Sequence, residues 1–254
     1  MNKLSVLIIA KNEEKMIGEC LESVGWADEV IVIDTGSNDA TKEIVKKHGV
    51  KVVSYLKGKN YSEWRNYALK LVSNDWILFV DADERVTPGL KDEIRKTIEE
   101  SGGFSAYAIP RRNVFLGHEM RHGGWWPDYV LRLLRKEKVK GYRGEVHEQP
   151  EIEGEVGKLK EPFIHITHRS LTEMVEKTNK WSEIEARLMF EANHPPMNVI
   201  RFMTAMFREF WYRGIIKLGF LDGPVGIIEI IYQVFSRFVS YAKLWEMQQQ
   251  TSKN

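Results

Sequence analysis

The first hundred residues alternate between two hydrophobic periods. Leu4–Ile9 is an unbroken apolar run of strand length, and Val30–Ile33 repeats it and ends on Asp34. Val50–Val53 is a shorter version and Trp76–Val80 a fourth. Between them, Lys15–Ser23, Thr41–His48 and Ser62–Val72 carry apolar residues at helical spacing. Short continuous runs separated by helices predict βαβ units in an α/β fold, around a mostly parallel sheet buried on both faces. Thr87-Pro88 offers a capping hydroxyl followed by proline in the first turn, so a helix is expected from there to about Glu100, stopping near Gly102-Gly103. From Phe104 to His168 the pattern predicts short strands and little helix, with turns at Gly117, Gly123-Gly124 and Gly154. Beyond Ser170 it turns helical to the end, broken near Pro195-Pro196 and Gly219–Gly226. The expected division is residues 1–170 as an α/β domain and 171–254 as a helical C-terminal region.

A chain of 254 residues has room for one large domain or one domain with an appendage. With 43% apolar and 29% charged residues it is no disordered chain. A net charge of +1 gives no global field for nucleic acid, so partners must be read from local sites. The one cysteine, Cys20, permits no intrachain disulfide and fits a reducing compartment; beside Leu21 in a helix it is expected to be buried packing. The opening run MNKLSVLIIAKNEE lacks the length and cleavage pattern of a signal peptide, and no unbroken apolar run of 18 residues or so predicts a membrane-spanning helix.

Chemistry gathers at strand ends, where open α/β sheets bind ligands. The first run leads into Asn12 and Glu13, the second ends on Asp34 before a Gly-Ser turn, and the fourth ends on Asp81 and Asp83. Two carboxylates in Asp-x-Asp spacing project to one side of an extended backbone. Hard oxygens of that kind suit Mg²⁺ or Mn²⁺ bridged to phosphate. The alternative is that Asp81 caps the strand and Asp83 the helix at Thr87. Neither G-x-x-x-x-G-K-[ST] nor G-x-G-x-x-G follows a strand, which disfavours P-loop and dinucleotide sites. His118–His122, HEMRH, matches the zinc-protease string H-E-x-x-H, but its glycine-rich flanks predict a turn rather than the helix that chemistry needs.

The stretches SVLIIAKNEE, VIVIDTGSNDAT and WILFVDADE, in this order, resemble the family 2 inverting glycosyltransferases of GT-A (Rossmann-like) fold. GGWWPDYVLRLLRK, GEVHE and FIHITHRS resemble more narrowly the lipopolysaccharide-core glucosyltransferases of the WaaE type. The resemblance implies transfer of a hexose, with glucose expected, from a UDP-sugar to a lipopolysaccharide-core or other glycolipid or saccharide acceptor, with a divalent cation, Mg²⁺ or Mn²⁺. It implies that Ala10, Asn12, Glu13 and Asp34 hold the nucleobase and ribose, that Asp81 lies near the ribose, and that Asp83 binds the metal. EWRNYAL stands where the family places an arginine and an asparagine on the nucleotide, hence Arg65 and Asn66; an exposed helix face is the other reading. His165 resembles a histidine on the metal or diphosphate, or is a hydrogen-bonded core residue. The family supplies its base from a Glu-Asp pair that this chain lacks after Thr87. VHE stands in that place, pointing to Glu148 as base with Asp128 second, or to Glu148 as a partner of Arg143. A sugar nucleotidyltransferase and a non-catalytic sugar-nucleotide or membrane-binding module are the alternatives.

The tail carries its own pattern. Val199, Ile200, Phe202, Met203, Met206, Phe207, Phe210 and Trp211 form a helical stripe, and Val225–Trp245 has only a narrow polar line. Packing on the core, a membrane surface and a homo-oligomer are open readings, and the expected location is cytoplasmic or peripheral on the inner face of the cytoplasmic membrane.

Overall fold

The computed structural model describes residues 2–100, 103–144 and 148–251. Strands β1 (Leu4–Ala10), β2 (Glu29–Asp34), β3 (Lys51–Ser54) and β4 (Trp76–Asp81) run parallel in the order β3-β2-β1-β4. Helices α1 (Ile17–Val24), α2 (Thr41–Lys47) and α3 (Tyr61–Leu69) connect them, each close to its predicted span. The strand sequences are continuously apolar because both faces are covered. Leu4, Val6 and Ile8 of β1 point into one core with Ile17, Leu21 and Val24 of α1, while Leu7 and Ile9 point into the other with Ala68 of α3. Each such side chain contributes roughly 1.5–3 kcal/mol by leaving water.

After β5 (Glu84–Val86), the Thr87 hydroxyl accepts from Leu90 N at 3.1 Å and opens helix α4 (Pro88–Glu100), as the Thr-Pro pair predicts. The expectation of short strands beyond Phe104 is corrected by β6 (Ala106–Phe115), which is 10 residues long. Pro110 and the neighbouring Arg111 and Arg112 interrupt its apolar alternation, which hides the strand from pattern reading. The two-residue β7 (His118–Glu119) folds back onto β6 through Gly117, whose φ of +80° suits a glycine. Strand β8 (Asp128–Arg135) lies between β4 and β6, antiparallel to both. Strands β9 (Val139–Arg143) and β10 (Gln149–Ile152) form a separate pair, and β11 (Val156–Lys158) adds to β6. Strand β12 (Phe163–Thr167) completes the main order β3-β2-β1-β4-β8-β6-β12-β5. The mostly parallel, helix-flanked sheet expected from the sequence is present, with β8 reversed inside it.

Two compact units emerge: Met1–Arg111 with Asp128–His165, and Arg112–Pro127 with Ile166–Asn254. The second, helical unit holds α5 (Leu171–Glu191), α6 (Val199–Phe210), a π-helical turn over Trp211–Ile216, a short 3₁₀ turn over Gly219–Asp222, and α7 (Gly223–Thr251). Its Arg112–Pro127 segment is tied in by Asp222, which accepts from the backbone N of Arg121 and His122 and faces His122 Nδ1 at 2.9 Å. HEMRH thus opens on a strand rather than a helix, and the zinc-protease reading fails on geometry. The break predicted near Gly219–Gly226 ends earlier: α7 begins at Gly223 with Gly226 inside it, where an added Cβ would collide with the Gly219 carbonyl. The sequence holds no unbroken apolar run of span length, yet one helix passes on its average composition. Gly219–Gln250 is long and apolar enough to cross a membrane by length and composition only, and its most apolar window is 22% buried. Glu229, Gln233, Ser236 and Ser240 interrupt the run without lowering its average enough to exclude it.

Candidate active site

Register brings the polar strand ends together. Ala10 pairs with Asp34 across β1 and β2, and Ile9 pairs with Asp81 across β1 and β4. At the usual strand spacing, Asp34 and Asp81 are separated by roughly 10 Å, with the first loop between them. Asp34 is 1% exposed and its carboxylate accepts from Gly36 N and Ser37 N, which shapes the Gly-Ser turn. Asn12, at φ +57°, receives Asn38 N on its side-chain oxygen and donates its own N–H to the Ser37 hydroxyl. The Glu13 N–H reaches the Thr41 hydroxyl at 2.8 Å. The Asn12–Glu13 loop and the Asp34 turn therefore build one another.

The two acids of the Asp-x-Asp segment find different partners. Asp81 turns to arginines: its Oδ1 accepts from Arg65 Nη2 at 3.2 Å and its Oδ2 from Arg132 Nη2. Asp83 instead faces His165, with Nε2 and Oδ2 3.4 Å apart. The helix at Thr87 is capped by the Thr87 hydroxyl, which accepts from Leu90 N. Burial works against charge on Asp81, but Arg132, Arg65 and Arg111 outweigh it and hold the carboxyl well below the usual aspartate range. Glu84 is fully buried; its Oε2 accepts from Asp81 N at 2.9 Å, and Oε1 faces Arg132 at 3.5 Å and Arg111 at 3.7 Å. Burial and then the neighbouring Asp81 charge raise its pKa against the pull of Arg132 and Arg111. For Arg132 the acids prevail over burial and raise its pKa. Cys20 donates toward the Asp81 carbonyl at 3.5 Å and is buried, and burial pushes its thiol up, so the packing reading holds.

The same arginines reach the expected bases. Arg65, 3% exposed, lies over the rings of Phe79 and Tyr142 and donates Nε to Glu148 Oε1 at 3.2 Å. Its burial rules out the exposed-helix-face reading. The alternative of a Glu148–Arg143 pair is corrected too, since Arg143 pairs with Glu151 at 2.8 Å. Asp128 Oδ2 takes both Nε and Nη2 of Arg111, at 2.9 and 2.6 Å. Asn66 sits beside them on α3 with its carboxamide on the Tyr142 backbone, donating to the carbonyl at 3.0 Å and accepting the N–H at 2.8 Å. Glu145, Val146 and His147 of GEVHE lie outside the described residues.

A family model described as glycosyl transferase family 2 matches residues 5–160, more than half of the chain and all of these strand ends. The chain belongs to glycosyl transferase family 2. This family 2 glycosyltransferase is 28% identical over 259 residues to the lipopolysaccharide core biosynthesis glycosyltransferase LpsC of Rhizobium meliloti, covering 96% of this chain and 92% of that one. It is 29% identical to an uncharacterized glycosyltransferase of Rickettsia bellii, covering 96% and 87%. Among solved structures, a glucosyl-3-phosphoglycerate synthase from Mycobacterium tuberculosis superposes with a TM-score of 0.52 at 18% identity, over 76% of this chain and 81% of that one. The fold is accordingly GT-A. The chain is an enzyme of the glycosyltransferase class, and the readings as a nucleotidyltransferase or a silent binding module give way.

The family 2 site also fits a cation completed by its substrate. Asp83 offers a hard oxygen and His165 a nitrogen, both partly exposed side chains already drawn together. Among the described residues no group of three or more His, Cys, Asp or Glu is disposed to hold a metal by protein ligands alone. Two such side chains would leave positions for phosphate oxygens and water, as Mg²⁺ sites commonly do. Sequence reading missed Glu84, Arg111 and Arg132. Arg132 alternates with leucines in LRLLR, so an arginine at an inward position of a sheet strand was the signal that a buried acid awaited it.

Proposed function

We propose that this enzyme transfers a hexose, with glucose expected, from a UDP-sugar to a saccharide or glycolipid acceptor of the lipopolysaccharide-core kind, with inversion, in the cytoplasm. The observation that carries the reading is the split of Asp81 and Asp83, with Asp83 on His165 at the end of β4. Asp83 and His165 would hold Mg²⁺ or Mn²⁺, which when bound neutralises charge growing on the departing diphosphate. The relatives support donor and acceptor class: LpsC is named for lipopolysaccharide core biosynthesis. The superposed synthase holds UDP and Mn²⁺.

In this reading Ala10, Asn12, Glu13 and Asp34 form the wall for the nucleobase and ribose, with Asp81 beside the ribose. Arg65 fixes Asp81 and Glu148 in place from one guanidinium, and Asn66 contributes by pinning the Tyr142 strand. The acceptor oxygen attacks the anomeric carbon as the bond from that carbon to the diphosphate oxygen breaks, and UDP leaves with the electron pair. The acceptor's proton passes to a carboxylate, Glu148 in our assignment and Asp128 as the second choice. The test is UDP release from UDP-glucose and a panel of GDP- and dTDP-sugars with and without Mn²⁺. Glu148→Gln should lower turnover by roughly 10²–10⁴ with donor binding retained. Undiminished metal-dependent turnover in Asp83→Ala would remove the metal assignment.

A further inference from the structure

The helical unit wears its hydrocarbon on the outside. On α6, Val199, Ile200, Met203, Phe207 and Phe210 occupy one face at helical spacing, and they are 76, 73, 66, 62 and 47% exposed. On α7, Ile227, Ile231, Phe235, Phe238 and Trp245 do the same, at 50, 61, 42, 48 and 45%. The turn between the helices adds Trp211, Tyr212, Ile216, Leu218 and Leu221, all exposed, with Leu218 held at φ +53°. Single exposed apolar residues are ordinary, but stripes on two helices and their connecting turn exceed what a monomer in water shows. On α7 the spacing is inverted: Glu229 and Ser240 are buried, on the side opposite the exposed stripe.

Charge decides what covers this surface. The exposed charged residues of α6 and of the turn that follows are Arg201, Arg208 and Lys217. The two acids there are occupied internally. Glu209 takes Arg213 at 2.6 Å and Arg237 at 3.7 Å, and Asp222 is buried on the Arg121–His122 backbone. Glu246, the one exposed acid on α7, leaves the exposed charge around the stripe net positive, and with Trp and Tyr at its turn the surface matches the boundary between headgroups and acyl chains of an anionic membrane. A second copy of this chain would bring the same cations against themselves. Spanning is disfavoured, because the far side of α7 is committed to polar contacts: Glu229 faces His168 at 3.4 Å and binds Gln233, and Ser240 donates to Glu185.

We propose that the outward face of α6, α7 and their connecting turn lies in the interface of an anionic lipid bilayer, in its plane rather than across it. This goes beyond the transfer chemistry and does not depend on it. The test is flotation of the full chain with vesicles of neutral phosphatidylcholine and of phosphatidylcholine with phosphatidylglycerol. Partition into the anionic vesicles should exceed that into neutral ones and fall as salt rises. Phe207→Glu with Ile231→Glu should abolish it with an unchanged circular dichroism spectrum, both sites being exposed. Arg201→Gln with Lys217→Gln should weaken it by about 25-fold, roughly fivefold for each cation. Absence of flotation with either vesicle overturns the proposal. So does a dimer in sedimentation velocity that the Phe207→Glu/Ile231→Glu variant dissociates while wild type ignores vesicles. Resistance of the bound wild type to alkaline carbonate would overturn the in-plane arrangement in favour of a crossing helix.

Discussion

At the strand ends of the sheet unit charge is inside; on the helices of the other unit hydrocarbon is outside. Arg132 and Glu84 are 7% and 0% exposed, whereas Phe207 and Ile231 are 62% and 61%. Both reverse the usual distribution, and both are costly in water unless something compensates. The compensation differs. Buried charges must be matched within the chain, so they come as a network in which Arg132 meets Asp81 and Glu84 and Arg111 meets Asp128. The stripe side chains keep much of their surface in water even where rings meet within the unit, as Phe207 does on Trp211, so the match for that surface must come from outside. The sharpest way to break this contrast is Arg132→Met, which keeps bulk and removes the charge. It should destabilise the fold by about 3–5 kcal/mol, the cost of stranding a buried partner charge, and urea denaturation measures it. A loss below about 1 kcal/mol would mean that Asp81 and Glu84 are not held by Arg132.

A second variant asks whether the helical unit is tightly packed on its inner side. Gly226→Ala drives a methyl into the Gly219 backbone carbonyl, so the turn must shift. The expected cost is about 1–3 kcal/mol by the same denaturation assay. An unchanged midpoint would show that the turn before α7 is loose, and the outward stripe would lose its rigid support.

A third variant tests pairing at the rim of the sheet unit. Asp39 accepts from the Thr41 N–H and hydroxyl and from Glu14 N, at 3.0, 2.5 and 3.1 Å. Burial alone would raise its pKa, but these hydrogen bonds prevail and lower it. A lowered folded pKa means stability that is present above the unfolded value, about 3.9, and lost as pH falls through the folded value. Asp39→Ala should therefore cost about 1 kcal/mol at pH 6 and progressively less below about pH 4. Denaturation of both proteins at pH 6 and pH 3 gives the comparison, and a gap that widens in acid has the wrong sign.

Reading depth followed the same divide. The four parallel strands and their helices were legible because a strand buried on both faces is apolar at every position, as Leu4–Ala10 is. The acids at the strand ends were legible by type and spacing, and the resemblance put Asp83 with His165, which the fold brings to 3.4 Å. Arg111 and Arg132 were not, because an arginine in a strand declares its partner only when topology seats β8 between β4 and β6. The outward stripes were visible as stripes but not as outward: periodicity locates an apolar face and says nothing about whether it packs on its own chain. Attachment of Arg112–Pro127 to the helical unit was likewise hidden, since it rests on Asp222, some 100 residues away.

The smallest expected effect is the most discriminating for the helical unit. Ile200 is 73% exposed on α6, so Ile200→Ser removes little buried area, and stability should stay within about 0.5 kcal/mol of wild type. Serine has a helix propensity close to that of isoleucine, which leaves the backbone term small. A loss above about 1 kcal/mol in urea would mean that Ile200 is covered within the chain in solution, and the stripe would then be packing rather than a free surface. An unchanged midpoint together with weaker vesicle flotation would separate stability from binding: the apolar face would serve no folding purpose, and its side chains would act only when a lipid surface meets them.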